Sequence, residues 1–69
     1  MVNEKKYSIF ELRMARSLTQ KQVADDLGVS LNTYRHWEKN ISDVGISKAC
    51  ALAKYYDVGI GQLLFCTKT

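Results

Sequence analysis

Helix starts recur along this chain, and they constrain its fold more than any other feature. An N-terminus is marked by a hydroxyl side chain that caps free amides and a Glu or Gln three residues on, with apolar residues just before the cap and four after it. Ser8 with Glu11 forms such a box, stapled by Tyr7 and Leu12, and Thr19 with Gln22 repeats it, stapled by Leu18 and Val23. Ser30 caps a third helix with Val29 and Tyr34 as staple, although Thr33 stands where the acidic or amide partner belongs and leaves the box half made. Gly45 and Gly59 are weaker caps, yet Val44 with Ala49 and Val58 with Leu63 keep the same apolar spacing. The stops agree, because Gly28, Asn40 and Asp57 all tolerate the left-handed backbone that ends a helix. Five helices are expected, over about 9–16, 20–27, 31–39, 46–56 and 60–65.

A chain of 69 residues has room for one domain, so 1–69 is read as a single all-α unit with its core over about 8–65 and short flexible ends. The helical period predicts the inward faces: Ile9 and Leu12; Val23, Ala24 and Leu27; Tyr34 and Trp37; Ile46, Ala49, Cys50, Leu52, Ala53 and Tyr56; Ile60, Leu63 and Leu64. Two cysteines, Cys50 and Cys66, are too few for a disulfide scaffold; Cys50 reads as a small core residue and Cys66 as a thiol near an end. With one histidine, His36, and no Cys-x-x-Cys pair, a zinc site lacks ligands, and no cofactor is expected. No apolar stretch approaches the roughly 20 residues that cross a bilayer, and nothing resembles a signal peptide, so a reducing cytoplasm without membrane contact is the expected setting. No nucleophile with its base and no phosphate loop appears, so the chain is not read as an enzyme. The net charge of +3 is a modest excess that favours a polyanionic partner.

Only Gly28, Val29 and Ser30 separate the second and third helices, and so short a glycine-containing turn sets two helices steeply, as a helix-turn-helix. Ala24 supplies the small side chain where they approach. The run from Leu18 through Gln20, Gln22, Val23, Ala24, Leu27 and Gly28 to Ser30, followed by Tyr34 and Trp37-Glu38, resembles helix-turn-helix domains of the phage repressor and Cro type, shared by bacterial regulators of the xenobiotic-response-element family. The likeness runs without a gap from about Ile9 to Leu64, including Leu52-Ala53-Lys54 and the stretch Val58 to Leu64.

That resemblance implies a compact five-helix, lambda-repressor-like domain that binds double-stranded DNA, with helix 31–39 entering the major groove and the second helix lying across the backbone. It makes Leu31, Asn32, Thr33, Arg35 and His36 the candidate base readers. Asn32 can pair with adenine in bidentate fashion, Arg35 can grip guanine or phosphate, and Leu31 can pack on a thymine methyl. Candidate phosphate contacts are Thr19, Gln20, Lys21, Ser30, Lys39 and Lys48, with Gln20 at the family's phosphate-binding glutamine. Arg13 and Glu38 match the family's ion pair between the first and third helices.

The sequence departs from the family pattern in places. Ser17 stands where glycine is common, and Ile41-Ser42-Asp43-Val44-Gly45 replaces a loop that often carries basic residues. Asp43 repels phosphate if it faces the backbone, while Ile41 and Val44 offer a surface for a protein partner. Palindromic operators are read by two copies, so a homodimer on DNA is expected, with Ile60, Leu64 and Phe65 as its surface. The first reading is thus a small Cro-like transcriptional regulator, a repressor at the nucleoid. The alternative is a protein-interaction module on the same fold, such as an antirepressor or antitoxin component.

Overall fold

A computed structural model describes residues 6–63. Four α-helices are present among them: α1 over Ile9–Ala15, α2 over Gln20–Leu27, α3 over Leu31–Lys39 and α4 over Ile46–Tyr56. The first three begin where the caps place them. Ser8 Oγ accepts from Glu11 N at 3.1 Å while Ser8 N donates to Glu11 Oε1 at 3.0 Å. Thr19 and Gln22 reciprocate in the same way, at 3.0 and 2.8 Å. At Ser30 the half-made box closes differently: its Oγ accepts from Thr33 N at 3.1 Å and donates to the Thr33 hydroxyl at 2.9 Å.

Three stops share one device. Gly28 and Asp57 turn left-handed, as expected, at φ +74° and +59°, and the next amide reaches back five residues to a helix carbonyl, Val29 N to Ala24 O and Val58 N to Ala53 O. Ser17 does the same at φ +56°, with Leu18 N on Arg13 O. Asn40, the third expected left-handed stop, does not; at φ −137° it leads instead into a 3-10 turn over Ile41–Asp43.

The fifth helix is a correction. Among the described residues, the chain after α4 forms only one 3-10 turn, Ile60–Gln62, and then becomes extended at Leu63. Gly59 and Gly61 flank Ile60, and glycine inside a helix costs about 1 kcal/mol relative to alanine, so this segment cannot sustain α-helix on propensity. Its extended end is used elsewhere. Leu63 bridges Tyr7 in parallel, with Tyr7 N on Gln62 O at 2.7 Å, and the first and last described segments are tied together. The expected positions Leu64, Phe65 and Cys66 lie outside the described residues.

Ile9, Leu12, Val23, Ala24, Tyr34, Trp37, Ile41, Leu52, Ala53, Tyr56 and Leu63 form one buried cluster. Four expectations fail around it. Cys50 is exposed because the buried stripe of α4 runs through Ala49, Leu52, Ala53 and Tyr56, and Cys50 sits about 100° off that line. Ile46 lies on the line but in the first turn of α4, where it is 75% exposed. Ile60 is exposed because its short turn points Leu63, not Ile60, into the core. Ile41, offered to a partner by the sequence reading, is core instead, carried inward by its 3-10 turn while Val44 packs against the same cluster. Among the described residues no helix is long and apolar enough to cross a membrane.

Candidate nucleic-acid interface

Helix α3 divides its residues by face. Tyr34 and Trp37 are buried and meet edge to face with ring centroids 6.3 Å apart, while Leu31, Asn32, Thr33, Arg35, His36 and Lys39 face outward. Asn32, Arg35, His36 and Lys39, spaced three and four apart, line one shallow concave surface. The outward set holds two cations, an amide and an imidazole, so it offers hydrogen-bond donors on a helix narrow enough for a groove. Thr33 is partly engaged, since its hydroxyl accepts from Ser30.

The orientation of α3 is held by a buried polar network at its far end. Arg13 Nε lies 2.6 Å from Glu38 Oε2 and Nη2 lies 3.2 Å from Oε1, a bidentate pair whose side chains are 11% and 7% exposed. Arg13 Nη1 also donates to Leu18 O at 3.0 Å, fixing the loop before α2. Burial alone would raise the Glu38 carboxyl, but hydrogen bonds from Arg13, Tyr34 and Gln20 outweigh it and hold the group below its ordinary value. The same hydrogen bonds, donated to Glu38, raise Arg13 against its own desolvation. The expected ion pair is therefore present, and it is a buried one.

Gln20 joins this network through Nε2, which donates to Glu38 Oε1 at 3.0 Å. A primary amide has two N–H groups, so one can brace α3 while the other remains for a second acceptor. Thr19 is occupied in capping, Lys21 pairs with Asp25 at 3.2 Å on the surface of α2, and Lys48 is exposed at the start of α4. Thr19, Gln20, Lys21 and Ser30 belong to the starts of the two helices that the tight turn joins, whereas Lys39 and Lys48 flank the loop after α3.

Several contacts have no signal in the sequence. His36 Nε2 lies 2.7 Å from Asp43 Oδ2, across the end of α3. Arg16 reaches α4, donating to Tyr56 O at 2.6 Å with its guanidinium 5.5 Å from the Tyr56 ring centroid. The Tyr34 and Tyr56 hydroxyls share a hydrogen bond of 2.8 Å in the core, and burial raises both. Each joins residues on separate elements or beyond a helix stop, where local spacing carries no information.

Two capped helices joined by Gly28, Val29 and Ser30, braced by the remaining helices and presenting a polar face of the second, define a helix-turn-helix domain. The Helix-turn-helix family matches residues 9–63, and the chain belongs to it, in its Cro and phage-repressor branch. It is 38% identical over 61 residues to the cryptic phage CTXphi transcriptional repressor RstR of Vibrio cholerae, a match covering 88% of this chain and 55% of that protein. It is 32% identical over 54 residues to the uncharacterized HTH-type transcriptional regulator YobD of Bacillus subtilis (strain 168), covering 78% of this chain and 48% of the other. The chain thus spans about half the length of these curated relatives. No solved structure matches.

Proposed function

We propose that this chain is the double-stranded DNA-binding module of a transcriptional repressor, acting by occupying a promoter at the nucleoid, with α3 reading the major groove. One observation carries the reading: α3 buries Tyr34 and Trp37 and turns every candidate base reader outward. Leu31, Asn32, Thr33 and Arg35 occupy the half of the helix that leads into a groove, and His36 shares the face with its Nε2 engaged by Asp43. Thr19, Gln20, Lys21, Ser30, Lys39 and Lys48 serve the phosphates; Gln20 is best prepared, since Glu38 already fixes its amide. Both relatives named above are regulators, which are not a class of enzyme. The interaction-module alternative is disfavoured because the loop meant to serve it keeps Ile41 in the core.

Operator palindromes are read by two copies, and a homodimer on DNA is part of this reading. The exposed Ile60 is its described surface residue, with Leu64 and Phe65 as further members outside the described residues.

Binding-site selection from a random duplex pool, followed by titration at several salt concentrations, tests the proposal. An enriched sequence is expected. Asn32→Ala or Arg35→Ala should relax preference at particular base pairs, whereas Lys48→Ala should weaken all sequences alike and reduce the salt slope by about one. A pool without enrichment, bound only weakly and with strong salt sensitivity, would refute sequence-specific regulation. A uniform effect from all three substitutions would mean that α3 is not the reading helix.

A further inference from the structure

The ring of His36 is already engaged before any DNA arrives. Its Nε2, the nitrogen farther from the backbone, lies 2.7 Å from Asp43 Oδ2. Asp43 is presented by a stiff support: Ile41 anchors the 3-10 turn in the core, Asp43 N donates to Asn40 O and Val44 N to Ile41 O, both at 3.0 Å. With side chains 52% and 60% exposed, such a pair adds little to folding. What it does decide is which ring atom can face a base. A carboxylate only accepts, so the shared proton sits on Nε2, and the atom with the longest reach is spent on Asp43. Its neighbours on the concave surface differ, since among the described residues Asn32, Arg35 and Lys39 have no side-chain hydrogen-bond or ion-pair partner.

We propose that Asp43 is a positioning residue for base recognition: by holding Nε2 of His36 it withholds that ring's N–H donor from the bases and leaves sequence choice to Leu31, Asn32, Thr33 and Arg35. This rests on the DNA reading above and deepens it. Asp43 acts in two separable ways. Its charge opposes phosphate whatever the sequence, whereas its hydrogen bond to His36 bears on base choice alone. Asp43→Asn removes the charge and keeps a carbonyl oxygen that accepts from Nε2, while Asp43→Ala removes both.

Sites are selected from random duplex pools with the wild-type protein, Asp43→Asn, Asp43→Ala, His36→Ala and the Asp43→Ala/His36→Ala double variant. The wild type, Asp43→Asn and His36→Ala should enrich the same site, and the loss of charge in Asp43→Asn should tighten binding to all sequences alike. Asp43→Ala should add a preference of about tenfold at one further base pair, the size of a single good base contact, and the double variant should lose it. The proposal is overturned if His36→Ala erases a preference of the wild type, or if Asp43→Ala selects the wild-type site unchanged. A wild-type pool with no enriched sequence would remove the DNA reading itself. Solvent exchange of the His36 Nε2–H proton in the free protein tells the two failures apart: it should be slowed in the wild type and Asp43→Asn and fast in Asp43→Ala, and equally fast exchange in all three would refute the pairing.

Discussion

Ser17 carries a backbone conformation that its side chain disfavours. A non-glycine residue at φ +56° costs about 1–2 kcal/mol, while glycine's extra freedom in the unfolded chain returns about 0.4–1. Ser17→Gly should therefore stabilise the domain by about 0.5–1 kcal/mol, raising the urea midpoint without altering the slope. A lower midpoint would show that the Ser17 hydroxyl contributes more than its backbone costs. Glu38 makes a second residue-level case. Its carboxyl is held below the ordinary 4.5, so its share of stability is present above that pH and is lost as pH falls through the lower folded value. Glu38→Gln should flatten the stability curve below pH 4.5, and an unchanged acid slope in urea titrations would contradict the depressed value. Removing the partner is harsher. Arg13→Ala leaves a buried carboxylate unpaired at a cost of about 3–5 kcal/mol, so it should lower the melting temperature more than Arg16→Ala, which removes hydrogen bonds to the Leu12 and Tyr56 carbonyls but strands no charge. Equal losses would remove the argument from burial.

Helices α2 and α4 are clasped by the Tyr55 hydroxyl, which donates to Asp26 Oδ2 at 2.6 Å. Partial burial and then this bond push Tyr55 up to about 12. Asp26→Asn should move the ionisation of Tyr55 toward its ordinary 10, readable as tyrosinate absorbance on alkaline titration. No movement would mean that burial alone sets it. No local spacing announces this bond, because Asp26 and Tyr55 lie on separate helices. Helix starts were legible for the opposite reason: a cap, its box partner and its staple fall within a few residues, as at Ser8 and Thr19. Stops were less so. Gly28 and Asp57 declare themselves by chemistry, but Ser17 is left-handed where serine gives no notice, and Asn40 declines a conformation it tolerates.

A chain of 69 residues commands only about 3–10 kcal/mol of stability, so single contacts that close its fold matter. Leu63 fills the core and pairs with Tyr7, joining the last described segment to the first. Leu63→Ala should cost about 2–5 kcal/mol and leave much of the protein unfolded at physiological temperature, as circular dichroism would register; a cost below about 1 would show that the bridge, not the side chain, closes the domain. By itself the sequence determined the four long helices, the tight turn at Gly28, the inward Tyr34 and Trp37 and hence the outward face of α3, because capping and the helical period are local. Only the tertiary structure decided that Arg13 and Glu38 are buried, that Gln20 is braced by Glu38, that Ile41 belongs to the core and that Asp43 holds His36. Those contacts depend on where separate elements meet, and a pattern of spacing within one helix carries no record of its neighbours.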